Sequence, residues 1–286
     1  MAVDNFIPTI WSAKLLTRLR KSLVFGNLVN TDYSGEISAF GDTVKINEVG
    51  PISVSSYTRN GSITWGNLDG TAKYLTIDQQ KSWNFMIDDL DAAQTKPKLM
   101  DAAMSEAAYA MADASDQFIA GLYGSAGVKS TNVGSSGSVL TQSSPTILRT
   151  LSYVKRYLDE ANVPSEGRWG VIPPWFAQKV QAAVGGLFSA TGVPKPDADG
   201  VLRTGWVGRV SGIDLYMSNN VSNAGGTYRC MFGTRSAISF VSQVAKVEAL
   251  RLQDYYADGV RGLYLYGAKV VQPDCLMTAY VAEGTN

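Results

Sequence analysis

The sequence predicts an α+β fold, and three observations carry that prediction. Residues 41–87 alternate apolar and polar side chains at the strand period, and residues 98–123 repeat apolar side chains at steps of four and three. Residues 247–282 return to strand signals after a stretch in which helices and strands alternate. With 286 residues, 45 % of them hydrophobic, the chain is long enough for one large domain or two modest ones around a real core.

The first segment, residues 6–29, reads as partly helical. Trp11, Leu15, Leu19 and Leu23 run along one side, beside Lys14, Arg18, Arg20 and Lys21. Three readings compete: a basic helix touching membrane or nucleic acid, a surface helix, or an arm docking on a neighbouring subunit. The basic run is short and the chain balances 25 basic against 25 acidic residues, which favours the last two. Residues 41–87 follow as a β-rich region. Val44 and Ile46 alternate, as do Ile52 and Val54, and Asn60-Gly61 and Asp69-Gly70 signal tight turns. The run Leu75, Ile77, Gln79, Lys81, Trp83, Phe85, Ile87 grades from polar to apolar, as expected of a hairpin that leaves a core and projects outward. An isolated hairpin is marginal in water, so its own domain or a neighbouring copy must support it.

Lys98 to Tyr123 is the clearest element. Its stripe of Met100, Met104, Ala107, Met111, Ala114, Phe118 and Leu122 reads as core packing, with Asp101, Ser105, Glu106 and Asp116 on other faces. Such a helix is about 40 Å long. Residues 124–144, rich in Gly, Ser and Thr, read as a flexible connection and the best internal boundary. A second helix, capped by Ser144 and started by Pro145, buries Ile147, Leu148, Leu151, Val154 and Leu158. After it come a strand at Trp169–Ile172, a helix ending at Gly185-Gly186, a loop over 184–205, and strands at 207–217 and 228–232. The chain closes with a strand through Val247, Ala249 and Arg251, a turn near Asp258-Gly259, strands through Leu263, Leu265 and 268–271, then Pro273 and a last strand at 276–281.

The missing residues exclude chemistry. There is no histidine, which removes Ser-His-Asp and Cys-His nucleophiles and histidine zinc sites. No phosphate-cradling glycine loop is present, and the acidic residues are too dispersed to form an acid–base pair. No basic excess points to electrostatic binding of nucleic acid. Cys230 and Cys275 lie in apolar stretches and read as buried thiols rather than a disulfide. No stretch has the length of a membrane span, and the opening residues carry no secretion signal. The Asp197-Ala198-Asp199-Gly200 turn lacks the downstream glutamate of a calcium loop, and Asn60-Gly61-Ser62 reads as a turn, not a glycosylation site.

This order of elements resembles the major capsid proteins of tailed bacteriophages, the Hong Kong 97-type fold. The stretch Lys246-Val247-Glu248-Ala249 through Tyr264 and Ala268-Lys269-Val270-Val271-Gln272-Pro273-Asp274 is similar to that family's terminal hairpin. The opening Phe6-Ile7-Pro8-Thr9-Ile10-Trp11-Ser12, with Gly41-Asp42-Thr43-Val44-Lys45-Ile46, is similar to the Salmonella-phage-coat-like subgroup. The resemblance implies an N-arm at 1–34, an extended hairpin or E-loop at 35–88, and a peripheral domain with spine helix at 89–142. It implies an axial domain at 143–239 and peripheral return strands at 240–286. It further implies a shell of hexamers and pentamers around double-stranded DNA, built in the bacterial host cytoplasm. Portal, scaffolding and decoration proteins would be partners; no cofactor, catalysis or membrane is implied. The lysine–asparagine crosslink of some relatives is not carried over, because Lys73 and Lys81 lack a matching constellation.

In this reading the arm and hairpin lie across neighbouring subunits. Trp11, Phe25 and Trp65 bury apolar surface there, while Lys14, Arg18, Arg59, Asp69 and Lys73 set register through charge pairing. Gly35, Gly41, Gly66 and Gly70 are candidate pivots. Removing residues 2–30 is expected to leave a folded, assembly-defective chain. An encapsulin-like compartment shell shares the fold and is the nearest alternative; a tail-tube subunit lacks the spine helix, and a carboxylate-dependent hydrolase lacks convergent acids.

Overall fold

The computed structural model describes residues 24–35, 43–49, 70–88, 98–184, 206–253 and 256–284, with positions 52, 54, 56, 59 and 60 between the first hairpin strands. Residues 6–23 of the expected partly helical 6–29 segment, residues 185–205 of the expected 184–205 loop with its acidic turn, and the Gly41 and Gly66 pivots lie outside these residues. Within them, helix α1 spans Phe25–Leu28, and strands β1 (Thr43–Val49), β2 (Gly70–Thr76) and β3 (Gln79–Asp88) follow. Next come helix α2 (Lys98–Ala120), strand β4 (Leu140–Gln142), helix α3 (Ser144–Glu160), strand β5 (Arg168–Ile172) and helix α4 (Pro174–Val184). Strands β6 (Trp206–Val210), β7 (Ile213–Met217), β8 (Asn223–Ala224), β9 (Thr227–Thr234), β10 (Ile238–Arg251), β11 (Ala257–Val270) and β12 (Leu276–Glu283) complete the order.

These strands form three sheets. β1 and β2 make an antiparallel hairpin, and β10, β11 and β3 make an antiparallel sheet of three. The third is mixed, in the order β4-β12-β9-β5-β7-β6 with β8 beside β9; its β12–β4 and β5–β7 pairs are parallel. The run 75–87 is therefore two strands with different partners, broken at Ile77-Asp78. Gly70, expected in a turn, opens β2 opposite Val49. Asp258-Gly259 also lies inside a strand: Arg251 pairs with Asp258, which moves the reversal to residues 252–256. The closing strand β12 leaves the long β10–β11 hairpin and joins the seven-stranded sheet.

Helix α3 follows its sequence pattern. Ile147, Leu151, Val154 and Leu158, spaced by four, three and four, are fully buried. The cap is Ser143 and not Ser144: the Ser143 N–H donates to Thr146 Oγ1 at 2.8 Å. At the other end the carbonyls of Tyr157, Leu158 and Asp159 accept from the amides of Ala161, Val163 and Asn162. The buried Arg168 donates to the carbonyls of Val163 and Pro164 just past the helix and pairs with Asp159 at 2.6 Å, which ties the exit loop to the helix end.

Helix α2 is 23 residues, roughly 35 Å, and its buried face is rotated from the expected stripe. Met104, Ala108, Met111, Ala112, Ser115, Asp116 and Ile119 are buried, while Ala107, Ala114 and Phe118 are only half-buried. Ser115 donates to the Met111 carbonyl and shares a hydrogen bond of 3.2 Å with the Tyr264 hydroxyl. Residues 124–144 are an ordered strap rather than a flexible connection. Val128 bridges to Met277 and Val133 is fully buried. Gly134 has φ +84°, and a Cβ there would lie 2.3 Å from the Tyr280 carbonyl oxygen, so glycine is required on both counts. Both cysteines are free: Cys230 is buried, and burial pushes its thiol pKa up, while Cys275 is half-exposed in the turn before β12.

Candidate intersubunit surface

The three-stranded sheet has one face committed to the body of its own subunit. Tyr264 and Tyr266 of β11 turn toward α2, where Phe118 meets Tyr266 edge-on at 5.3 Å. Trp83 and Phe85 of β3 stack at 5.7 Å and pack against the same core.

The opposite face divides into a covered root and an open end. At the root, Val44, Ile46, Leu75 and Ile77 of the β1–β2 region pack on Val241, Leu265 and Val271. A Cβ on Gly267 would lie 2.4 Å from the Thr76 carbonyl oxygen, so the hairpin approaches the sheet as closely as a bare backbone allows. Lys73 Nζ donates to the Val271 carbonyl at 2.5 Å and ties β2 to the end of β11. Ile52 and Val54 are 74 % and 96 % exposed.

Toward the far end of the same face, no described residue covers a groove of about 430 Å³ lined by Asn84, Met86, Leu250, Leu252, Gly259 and Arg261. Met86 is 63 % exposed, and Tyr256 at the nearby reversal is 82 % exposed. Charges line its flank. Glu248 is held by Lys246 and by Arg261, whose Nη2 lies 2.6 Å away, and these hydrogen bonds draw its carboxyl below the ordinary glutamate pKa. Arg251 and Asp258 pair across the strands at 3.2 Å. An apolar floor with a polar rim is the anatomy of a protein-binding surface.

The root of the N-terminal segment is fixed along β10, the edge strand of the three-stranded sheet. Asn30 pairs with Ser239 in parallel, its N–H donating to the Ile238 carbonyl at 2.9 Å and its carbonyl accepting from Phe240 at 2.8 Å. Arg235 Nε donates to the Val29 carbonyl at 3.2 Å, and the Phe25 N–H donates to Asp116 Oδ1 at 3.1 Å.

The residues singled out from sequence fall in different places. Phe25 corrects its expectation: it is 1 % exposed within its own subunit and has no surface left for a neighbour. Lys73 is engaged at the hairpin root of its own chain. Arg59 lies exposed in the turn with Asn60, whose φ of 65° fits the expected tight turn. Trp11, Lys14, Arg18, Trp65 and Asp69 lie outside the described residues. Sequence reasoning missed Asp116, placed on an outer helix face, and the groove residues Leu250, Leu252 and Met86. The alternating Leu250-Arg251-Leu252 pattern is itself a strand signal, but nothing local reveals that no described residue covers its apolar face.

No three cysteine, aspartate or glutamate side chains converge to hold a metal among the described residues, and no described helix is long and apolar enough to cross a membrane. A second cavity of about 350 Å³, between the strap and β12, is lined by Tyr123, Thr278, Tyr280 and hydroxyls of the strap.

Comparison with known proteins agrees with this geometry. The phage capsid protein family matches residues 71–279. A solved structure from Mycobacterium phage Che8 is 31 % identical, spans 97 % of this chain and 98 % of its own, and superposes with a TM-score of 0.70. The capsid structure of the cyanophage P-SCSP1u is 19 % identical over 93 % of this chain and 90 % of its own, with a TM-score of 0.65. A virus-like particle from Pyrococcus furiosus shares the fold at 10 % identity, 95 % and 98 % coverage and a TM-score of 0.54. No curated protein matches the chain. The α+β architecture is thus that of Hong Kong 97-type capsid proteins.

Proposed function

The chain belongs to the phage capsid protein family, and on that premise we propose that it is a structural, non-catalytic subunit of an icosahedral shell of hexamers and pentamers enclosing double-stranded DNA. The observation that carries the assembly reading is the division of one sheet face. Its root holds the chain's own hairpin, Ile52 and Val54 between the hairpin strands are exposed, and the far end of that face presents an apolar groove that no described residue fills. A hairpin from a second copy supplies what the groove lacks, and the groove supplies what the hairpin lacks. Each contact is small, so a misplaced subunit can leave, while repetition around a closed surface makes the whole shell stable. The formal charge of zero fits a chain that must pack against copies of itself.

Within this reading the segment before residue 35 is the N-arm, and 35–88 contains the E-loop, with β3 as its return into the peripheral domain. α2 is the spine helix, and β10–β11 forms the peripheral hairpin. The seven-stranded sheet with α3 and α4 is the axial domain, to which β12 and not only 143–239 contributes. Portal and scaffolding proteins, and decoration proteins after them, are the further partners, assembly takes place in the host cytoplasm, and the opening motifs place the chain near the Salmonella-phage-coat-like subgroup.

Expression of the full chain with electron microscopy of the product tests the proposal. Uniform hollow particles are the expected result, and a monomer at high concentration overturns it. Particle contents separate a genome shell from an encapsulin-like compartment: nucleic acid in the first, protein cargo in the second.

A further inference from the structure

Asp116 is an acidic residue with an unusual task. It sits in the middle of α2, is 3 % exposed, and accepts the backbone N–H of Phe25, 91 residues earlier in the chain. The amides of Val24 and Gly26 and the side chain of Asn220 also donate to its carboxyl. The four-residue helix α1 has no side-chain cap from its own Val24, so a residue from another element meets the donors that a helix start leaves open.

Among the described residues no cation is found against this carboxylate: its partners are the amides of Val24, Phe25 and Gly26 and the side chain of Asn220. Residues 24–28 and 218–221 contain no charged side chain. α2 contributes Asp113 one turn earlier, held by Asn220 Nδ2 and Gln117 Nε2, each at 2.7 Å. β11 contributes the Tyr264 hydroxyl, which faces Ser115 rather than Asp116. Arg235 directs its Nε to the Val29 carbonyl at the far end of the turn.

We propose that Asp116 is a proton-tuned clasp on the root of the N-terminal segment, gripping residues 24–28 more tightly as the pH falls. The sign follows from linkage. Burial raises the carboxyl above its ordinary value and outweighs the hydrogen bonds that lower it, leaving a pKa of about 6 against 3.8 in water. When the root lifts away, the carboxyl is rehydrated and returns toward that lower value. The docked form therefore binds the proton more strongly, and docking is strongest below the lower pKa and weakens as pH rises through about 6. Between pH 8 and pH 4.5 the two values correspond to a change of about 25-fold in the docking equilibrium. Acid fixes the origin of the arm, and neutral pH leaves it easier to lift. The inference stands apart from the shell reading and needs no second subunit.

Backbone amide exchange of residues 24–30 in the full-length chain, corrected for intrinsic rates, tests it. In the native protein, protection should rise by about 25-fold from pH 8 to pH 4.5. In Asp116→Asn, which keeps an acceptor oxygen without a titrating proton, protection should be flat across that range. Equal pH dependence in both proteins, or none in the native one, overturns the proposal. Should the variant not fold, carbon-detected titration of Asp116 in the native chain decides: a midpoint near 6 supports the clasp, and one near 4 ends it.

Discussion

Replacing Gly267 by alanine probes the contact on which the hairpin's direction depends. The added methyl would lie 2.4 Å from the Thr76 carbonyl oxygen, 3.1 Å from Ile77 Cα and 3.2 Å from the Thr76 carbonyl carbon. All three atoms are backbone, so no rotamer change relieves the clash and the hairpin root has to move off the sheet. Overpacking of this kind costs about 1–3 kcal/mol. The retreat also loosens Leu75 and Ile77, which are buried at 1 % and 0 % exposure. Gly259 is the matched control: eight residues earlier on the same strand and face, it sits in the open groove, where a Cβ meets nothing closer than Leu252 Cδ2 at 3.4 Å. Alanine there should be neutral or slightly stabilising, because it restricts the unfolded chain without a clash. Thermal unfolding of the two variants reads the difference, a drop of about 3–10 °C for Gly267→Ala and little change for Gly259→Ala. Equal shifts for both would show that the hairpin is not seated on Gly267 and would refute the account of its root.

Two other perturbations follow from the same surfaces. Truncation of the arm has to stop at residue 23: removal of 2–23 should leave a folded, assembly-defective chain by circular dichroism and sedimentation. Removal of 2–30 also takes Phe25, Leu28 and Val29 out of the core, each burial contributing about 1.5–3 kcal/mol, and should unfold or strongly destabilise the protein. Leu250→Asp places a charge on the groove floor without touching the core; sedimentation should show a normally folded subunit with assembly lost, and normal particles would remove the groove from the interface.

Much of the fold was legible where local pattern and tertiary environment coincide. α3 buries the side chains its periodicity selects, because one face meets the sheet and the other meets water. α2 was harder to orient. Alanines at 107, 108, 110, 112 and 114 surround the helix, so the methionines alone fixed the expected stripe, and the small side chains allow Ser115 and Asp116 to turn inward to partners on β11 and α1. The alternation from Leu75 to Ile87 is real, but period two says nothing about which strand lies alongside, and the change of partner at Ile77-Asp78 is invisible to it. For the same reason the last strand is grouped in sequence with the peripheral return strands of 240–286, although β12 pairs with β9 and β4. The Asp258-Gly259 signal failed because register, set by Arg251 opposite Asp258, outweighs turn propensity. The strap over 124–144 looked flexible from its glycines and serines, yet Gly134 is there to let the Tyr280 carbonyl approach.

The candidate site was less legible than the fold. A residue such as Phe25 is apolar whether it serves its own core or a neighbour, and only packing distinguishes the two. Asp116 carries no local mark of its task, since its partner amides lie 91 residues away.

The central claim is that the hairpin and the groove at the far end of the sheet complete each other between copies. A density map of the assembled particle at side-chain resolution measures this directly. The groove formed by Met86, Leu250 and Leu252 should hold residues from the 50–69 segment of a different subunit. A particle in which that groove faces solvent, or holds the hairpin of its own chain, contradicts the account.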